Sequence, residues 1–128
     1  MSIHTTLRYD DAKSAVDFLV SALGFVEKDV HSADDGSISH AELAWGPADD
    51  TGIVMLGTRT PGSPFDTGRA CTYLAVAPGT AVDPLFERAV GAGAEAVMEP
   101  VDQPYGSREF AVADPEGNVW SVGTYRPS

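Results

Sequence analysis

Apolar and polar positions alternate, switch to a helical period, and alternate again, and this cycle runs twice along the chain. Residues 2–9 alternate and are expected to form a strand. Apolar side chains then fall at Ala12, Ala15, Val16, Leu19, Ala22 and Leu23, one face of a 3.6-residue repeat, which predicts a helix. Asp10 or Asp11 is suited to cap its start and Gly24 to end it. Strand patterns follow at 25–30, 38–45 and 53–57, separated by the turn sequences Ala33-Asp34-Asp35-Gly36 and Gly46-Pro47-Ala48-Asp49-Asp50. Residues 59–70 read as a linker, with Phe65 as its odd member, either packing on the other half or overhanging a pocket. The order then recurs. A strand is expected at 71–76, and a helix is marked by Val82, Leu85, Phe86, Ala89 and Val90, with Thr80 or Asp83 as cap and Gly91 and Gly93 at its end. Strands follow at 95–98, 108–113 and 118–124, the last two joined by Asp114-Pro115-Glu116-Gly117.

The recurrence has sequence support. Ala15-Val16-Asp17 returns as Ala81-Val82-Asp83, 66 residues later, and the helix-ending Gly24 and Gly91 lie 67 apart. The expected fold is α+β, with two βαβββ modules at 1–58 and 71–128 within a single domain. Each module's sheet curls as a half-barrel, the helices lie outside, and the hollow faces are natural ligand sites.

Composition narrows the function. The longest apolar runs are four residues, such as Ile53-Val54-Met55-Leu56, so no membrane span is expected. The N-terminus lacks the pattern of a signal peptide. The single cysteine, Cys71, cannot form an intrachain disulfide and reads as a small core thiol of a reduced, cytoplasmic protein. Nineteen acids against eight bases give a formal charge of −11, which repels a phosphate backbone and weighs against nucleic-acid partners. The same charge favours solubility, or attraction of a cationic small molecule.

Two stretches resemble the vicinal oxygen chelate superfamily, the group of glyoxalase I, extradiol dioxygenases and bleomycin resistance proteins. One comprises the opening Ile3-His4-Thr5-Thr6-Leu7-Arg8-Tyr9-Asp10-Asp11 with Ala22-Leu23-Gly24-Phe25. The other is Tyr105-Gly106-Ser107-Arg108-Glu109-Phe110 followed by Asp114-Pro115-Glu116-Gly117-Asn118, which looks most like the bleomycin resistance branch. The resemblance implies the glyoxalase/bleomycin resistance-like fold. It also implies four metal-ligand positions in the metal-dependent members, a His or Glu on each half's first strand and a Glu on each half's last strand. His4 matches the first. Met55 stands at the second, Cys71-Thr72-Tyr73 at the third and Ser121 at the fourth, and Met55 and Ser121 are themselves 66 apart. One ligand of four does not hold a catalytic ion. A noncognate set of His4, His40, Glu42 and Cys71 is the remaining metal possibility.

The expectation is therefore a metal-free protein without catalytic residues or cofactor, which binds a planar or cationic small molecule as a homodimer. A divalent-metal-dependent lyase, isomerase or ring-cleaving dioxygenase is the alternative, and a subunit of a larger assembly a third. The candidate ligand-binding residues are His4, His40, Glu42, Trp45, Met55, Tyr73, Tyr105, Arg108, Phe110 and Ser121. Strand alternation puts Thr6 and Arg8 on the face of His4, and leaves Trp120 and Val122 in the core if Ser121 faces the hollow. The 66-residue offset pairs Glu42 with Arg108, so both are expected to look inward, with Phe110 beside Arg108. Trp45, Tyr73 and Tyr105 are candidate aromatic walls.

Overall fold

The computed structural model describes residues 1–66 and 68–127. It divides into two compact units, Met1–Gly68 and Arg69–Ser128. The first unit contains β1 (Thr5–Tyr9), α1 (Ala12–Phe18), a π-helical turn (Leu19–Leu23), β2 (Val26–Ser32), β3 (Ile38–Trp45) and β4 (Gly52–Thr58). The second contains β5 (Cys71–Ala75), a 3-10 turn (Gly79–Ala81), α2 (Val82–Gly91), β6 (Glu95–Asp102), β7 (Arg108–Ala113) and β8 (Val119–Gly123). The α+β class and the doubled βαβββ order are thus as expected. Each unit forms a four-stranded mixed sheet, ordered β1-β4-β3-β2 and β5-β8-β7-β6, with its first pair parallel and the rest antiparallel.

One face of each sheet packs on its helix. In the first unit Leu7, Tyr9, Leu43 and Leu56 are buried with Ala15, Val16, Leu19 and Leu23. In the second, Leu74, Phe110, Val112, Trp120 and Val122 are buried with Val82, Phe86 and Ala89. This leaves His4, Thr6, Arg8, Met55, His40 and Glu42 on the opposite face of the first sheet. On the second sheet the opposite face carries Cys71, Tyr73, Ser121, Glu109, Ala111 and Ala113.

Local chemistry sets the element ends. Asp11 caps α1, its carboxylate accepting from Ser14 N at 3.1 Å and Ser14 Oγ at 2.7 Å. Gly24 closes the π-helical turn in the left-handed region at φ 81°, which glycine adopts without strain. For α2 the expected Thr80 or Asp83 cap is not used. Ala81 occupies the cap with no side-chain bond, because the Asp83 carboxylate is engaged by Arg108. Strand β6 runs to Asp102, four residues past its expected end, and tolerates Pro100 because it is an edge strand.

The β7–β8 turn is held by Asp114, only 5% exposed. Its Oδ1 accepts from Glu116 N and Asn118 N, each at 3.0 Å, and its Oδ2 accepts from Trp120 Nε1 at 3.1 Å. Trp120 and Val122 are therefore core, as alternation predicts. Cys71 is not. It is exposed, since it opens β5 on the face away from α2.

Candidate functional site

The second sheet's helix-free face carries a concavity of about 680 Å3, lined by Tyr73, Tyr105, Glu109, Ser121, Tyr125 and Pro127. Three strands build it. Tyr73 on β5 is the register partner of Ser121 on β8, which in turn pairs with Ala111 on β7. Glu109, two residues before Ala111, pairs with Gly123. Small residues at Ala111, Ser121 and Gly123 leave room above the sheet. Gly123 keeps this space open, because a Cβ there would overlap Glu109 Cγ and lie 2.7 Å from the Tyr73 hydroxyl, so that one of these side chains would have to shift.

The carboxylate of Glu109 is the centre of the polar network. Oε1 accepts from Tyr105 Oη at 2.6 Å, and Oε2 accepts from Ser107 Oγ at 3.0 Å and Tyr73 Oη at 3.3 Å. Ser107 is itself buried and accepts from Tyr125 N at 3.0 Å, which ties the C-terminal segment to the site. Tyr105 stands edge-on to Tyr125, ring centroids 6.1 Å apart. The bond to Glu109 pushes the Tyr105 hydroxyl up to about 12, helped by desolvation and by the Glu109 charge. Burial raises the Tyr73 hydroxyl too; the Glu109 charge adds to this, and the hydrogen bond with Ser107 opposes it.

Of the expected residues, this site brings together Tyr73, Tyr105 and Ser121. Two others are corrected. Arg108 and Phe110 lie on the helix side of β7. Phe110 is fully buried, edge-on to Phe86 at 5.4 Å, and Arg108 pairs with Asp83 and Asp102. The reason is a change of offset. Ala44 pairs with Ile53 and Ala113 with Val119, so eight residues separate that pair in the first unit and five in the second. Met55 and Ser121 stay equivalent, but their partners are Glu42 and Ala111, and His40 matches Glu109 rather than any neighbour of Arg108. Glu109, Ser107 and Tyr125 were missed. Alternation carried the signal for Glu109, since it has the opposite parity to core-facing Phe110.

Trp45 is also corrected. It sits on the core parity of β3, and its Nε1 donates to the Leu23 carbonyl at 2.8 Å, beside Phe25. The remaining candidates lie on the first unit's helix-free face. Met55 is flanked by Thr6 and Glu42, and Glu42 Oε2 lies 3.0 Å from His40 Nε2. His4 Nδ1 lies 3.2 Å from the Ile53 carbonyl. Phe65 packs within its own unit, its ring 5.6 Å from the Arg8 guanidinium carbon.

The donor set does not fit a divalent ion of the family type. Among the described residues no group of three or more His, Cys, Asp or Glu is placed to hold one. Ser121 stands between Tyr73 and Ala111, a row with no carboxylate or imidazole, and Met55 stands between Thr6 and Glu42, so Glu42 is the one carboxylate beside these two positions.

A model of the Glyoxalase/Bleomycin resistance protein/Dioxygenase superfamily matches residues 2–122. The chain belongs to that superfamily. A curated relative, the uncharacterized protein Mb0911c of Mycobacterium bovis, is 38% identical over 120 residues, covering 89% of this chain and 76% of its own. Among solved structures, TioX from Micromonospora sp. ML1 is similar, with a TM-score of 0.73 and 32% identity over 98% of this chain and 99% of that one. A superfamily member from Sphaerobacter thermophilus DSM 20745 has a TM-score of 0.74 at 21% identity, covering 96% and 95%, and supports the fold alone. Among the described residues of this superfamily member, no helix is long and apolar enough to cross a membrane.

Proposed function

We propose that this superfamily member binds and sequesters a planar or cationic small molecule, in the manner of bleomycin resistance proteins, with no bond made or broken. The observation that carries the reading is the concavity in which three tyrosines surround a single carboxylate. Tyrosine faces offer apolar area and attract planar or cationic groups, while a few placed polar atoms orient the guest. Binding needs no metal in this reading, because only His4 matches the four ligand positions of the metal-dependent members.

The working form is a homodimer. Edge strands β2 and β6 expose Val26 and Val30, and Val97 and Val101, and exposed edges invite pairing. A cytoplasmic setting agrees with a lone cysteine. The partner is a small molecule rather than a membrane or nucleic acid, consistent with the −11 charge.

Calorimetric titration with bleomycin-type and other planar drugs tests the reading. Heat saturating at a fixed ratio to chain, unchanged after chelator treatment, is expected, and no heat with any of them sinks it. Elemental analysis is the companion measurement. About one zinc, nickel or iron per chain replaces sequestration with Lewis-acid chemistry by a lyase, isomerase or dioxygenase.

A further inference from the structure

The chemistry of the guest can be narrowed further, on the strength of the binding reading just given. Glu109 is 7% exposed, yet among the described residues no Lys, Arg or His pairs with it. Among the described residues, the side chains that meet its carboxylate do so through hydroxyls, those of Tyr105, Ser107 and Tyr73. A carboxylate withdrawn from water is best stabilised by an opposite charge, and hydroxyls supply only dipoles. The nearest guanidinium along the chain, Arg108, points to the other side of β7 and is held by Asp83 and Asp102. The site is built to hold a negative charge and leaves its counter-charge to be supplied from outside.

The three hydroxyls are not equivalent. Ser107 is 3% exposed and is fixed by Tyr125 N. Tyr73 rises from the sheet itself, between Ser121 and the strand edge. Tyr105, in contrast, is 61% exposed, lies outside any strand, and stands edge-on against Tyr125, itself 51% exposed. Its hydroxyl is the donor on Oε1, the oxygen that neither Ser107 nor Tyr73 engages. Swinging this one side chain uncovers one carboxylate oxygen and leaves the other anchored.

We propose that Glu109 is the charge-recognition point for a ligand bearing a planar N–H cation of the amidinium or guanidinium class, and that the Tyr105 hydroxyl holds Oε1 until the ligand's N–H displaces it. A planar fork of N–H donors matches a carboxylate edge, and the Tyr105 and Tyr125 faces then flank the cation. Binding is an exchange of one hydrogen bond for a charge-assisted one.

The probes are benzamidine, which is a cation at neutral pH, and benzamide, its neutral isostere, titrated into the full chain and followed by NMR shifts of the tyrosine rings. The parent protein is expected to bind benzamidinium at least about tenfold more tightly than benzamide. Glu109→Gln, which keeps the side-chain shape, brings that ratio to about one. Tyr105→Phe frees Oε1 and tightens benzamidinium severalfold with benzamide unchanged. No benzamidinium binding, an equal affinity for the two probes, or a preference that survives in Glu109→Gln overturns the inference. Weaker benzamidinium binding in Tyr105→Phe overturns the displacement step. If planar drugs bind while the charge preference is missing, this inference fails and sequestration stands. If the charge preference is present while no drug binds, sequestration fails and Glu109 remains a cation site.

Discussion

Arg108 and Asp83 meet through two near-parallel bonds, Nε to Oδ1 at 2.7 Å and Nη2 to Oδ2 at 2.9 Å, and so join β7 to the first turn of α2. A third bond runs from Arg108 Nη1 to Asp102 on β6 at 3.1 Å. The fork holds the Asp83 carboxyl below its ordinary value, chiefly through the hydrogen bonds to Arg108. A depressed acid stabilises the fold above its unfolded value near 3.8, and that contribution is lost as pH falls through the folded-state value. Asp83→Asn is therefore expected to lower the melting temperature slightly at neutral pH, with the gap to the parent closing on acidification. Because the pair is partly exposed, salt narrows the same gap. Thermal melts across pH and ionic strength check both.

Asp114 is the larger stability determinant. Its buried carboxylate accepts two backbone N–H groups and the Trp120 indole N–H. Asp114→Ala leaves these donors without their acceptor beneath a fully buried ring. At about 1–3 kcal/mol for each buried orphan, the expected loss is about 3 kcal/mol or more, read by urea unfolding.

Trp45 separates packing from binding. Trp45→Phe keeps an aromatic ring near Phe25 but removes the bond to the Leu23 carbonyl. Stability is expected to fall by about 1–2 kcal/mol, with ligand affinity unchanged. A large loss of affinity would put Trp45 back among the site walls.

Gly123→Ala acts in the opposite way. The added methyl overlaps Glu109 Cγ and crowds the Tyr73 hydroxyl. Overpacking of this kind costs about 1–3 kcal/mol, and the displaced Glu109 is expected to abolish charge-selective binding. Titration of the folded variant is the check, and parent-like selectivity would refute the packing argument.

Tyr105 offers a spectroscopic check of the network. With its hydroxyl pushed up to about 12, Tyr105 ionises late in an alkaline absorbance titration, and Tyr73→Phe separates its step from that of Tyr73, which burial also raises. Glu109→Gln removes the accepting charge, so that step moves back toward 10. A raised acid favours the fold below its unfolded value. This contribution is complete below about pH 10 and fades as pH rises through about 12.

Much of the fold was legible from period and punctuation. The bounds expected for the third strand of each half match β3 and β7, and the turns at Gly36 and Gly117 fall where paired acids and proline place them. These features depend on neighbours within a few residues, which the linear pattern contains. Alternation also fixes which residues of a strand share a face, so Tyr73 and Ser121 followed once their strands were known. What it does not fix is which of the two faces packs on the helix, or how far a repeat stays in step. The connection between β3 and β4 is three residues longer than that between β7 and β8, which breaks the constant offset and exchanges Glu109 for Arg108 at the site. Arg108 ends a core-facing row because it reaches Asp83 and Asp102, partners 25 and six residues away along the chain. Register and cross-element pairing of this kind arise only when the sheet is assembled. The tertiary structure, not the local pattern, therefore decided which carboxylate faces the concavity and which tyrosine covers it.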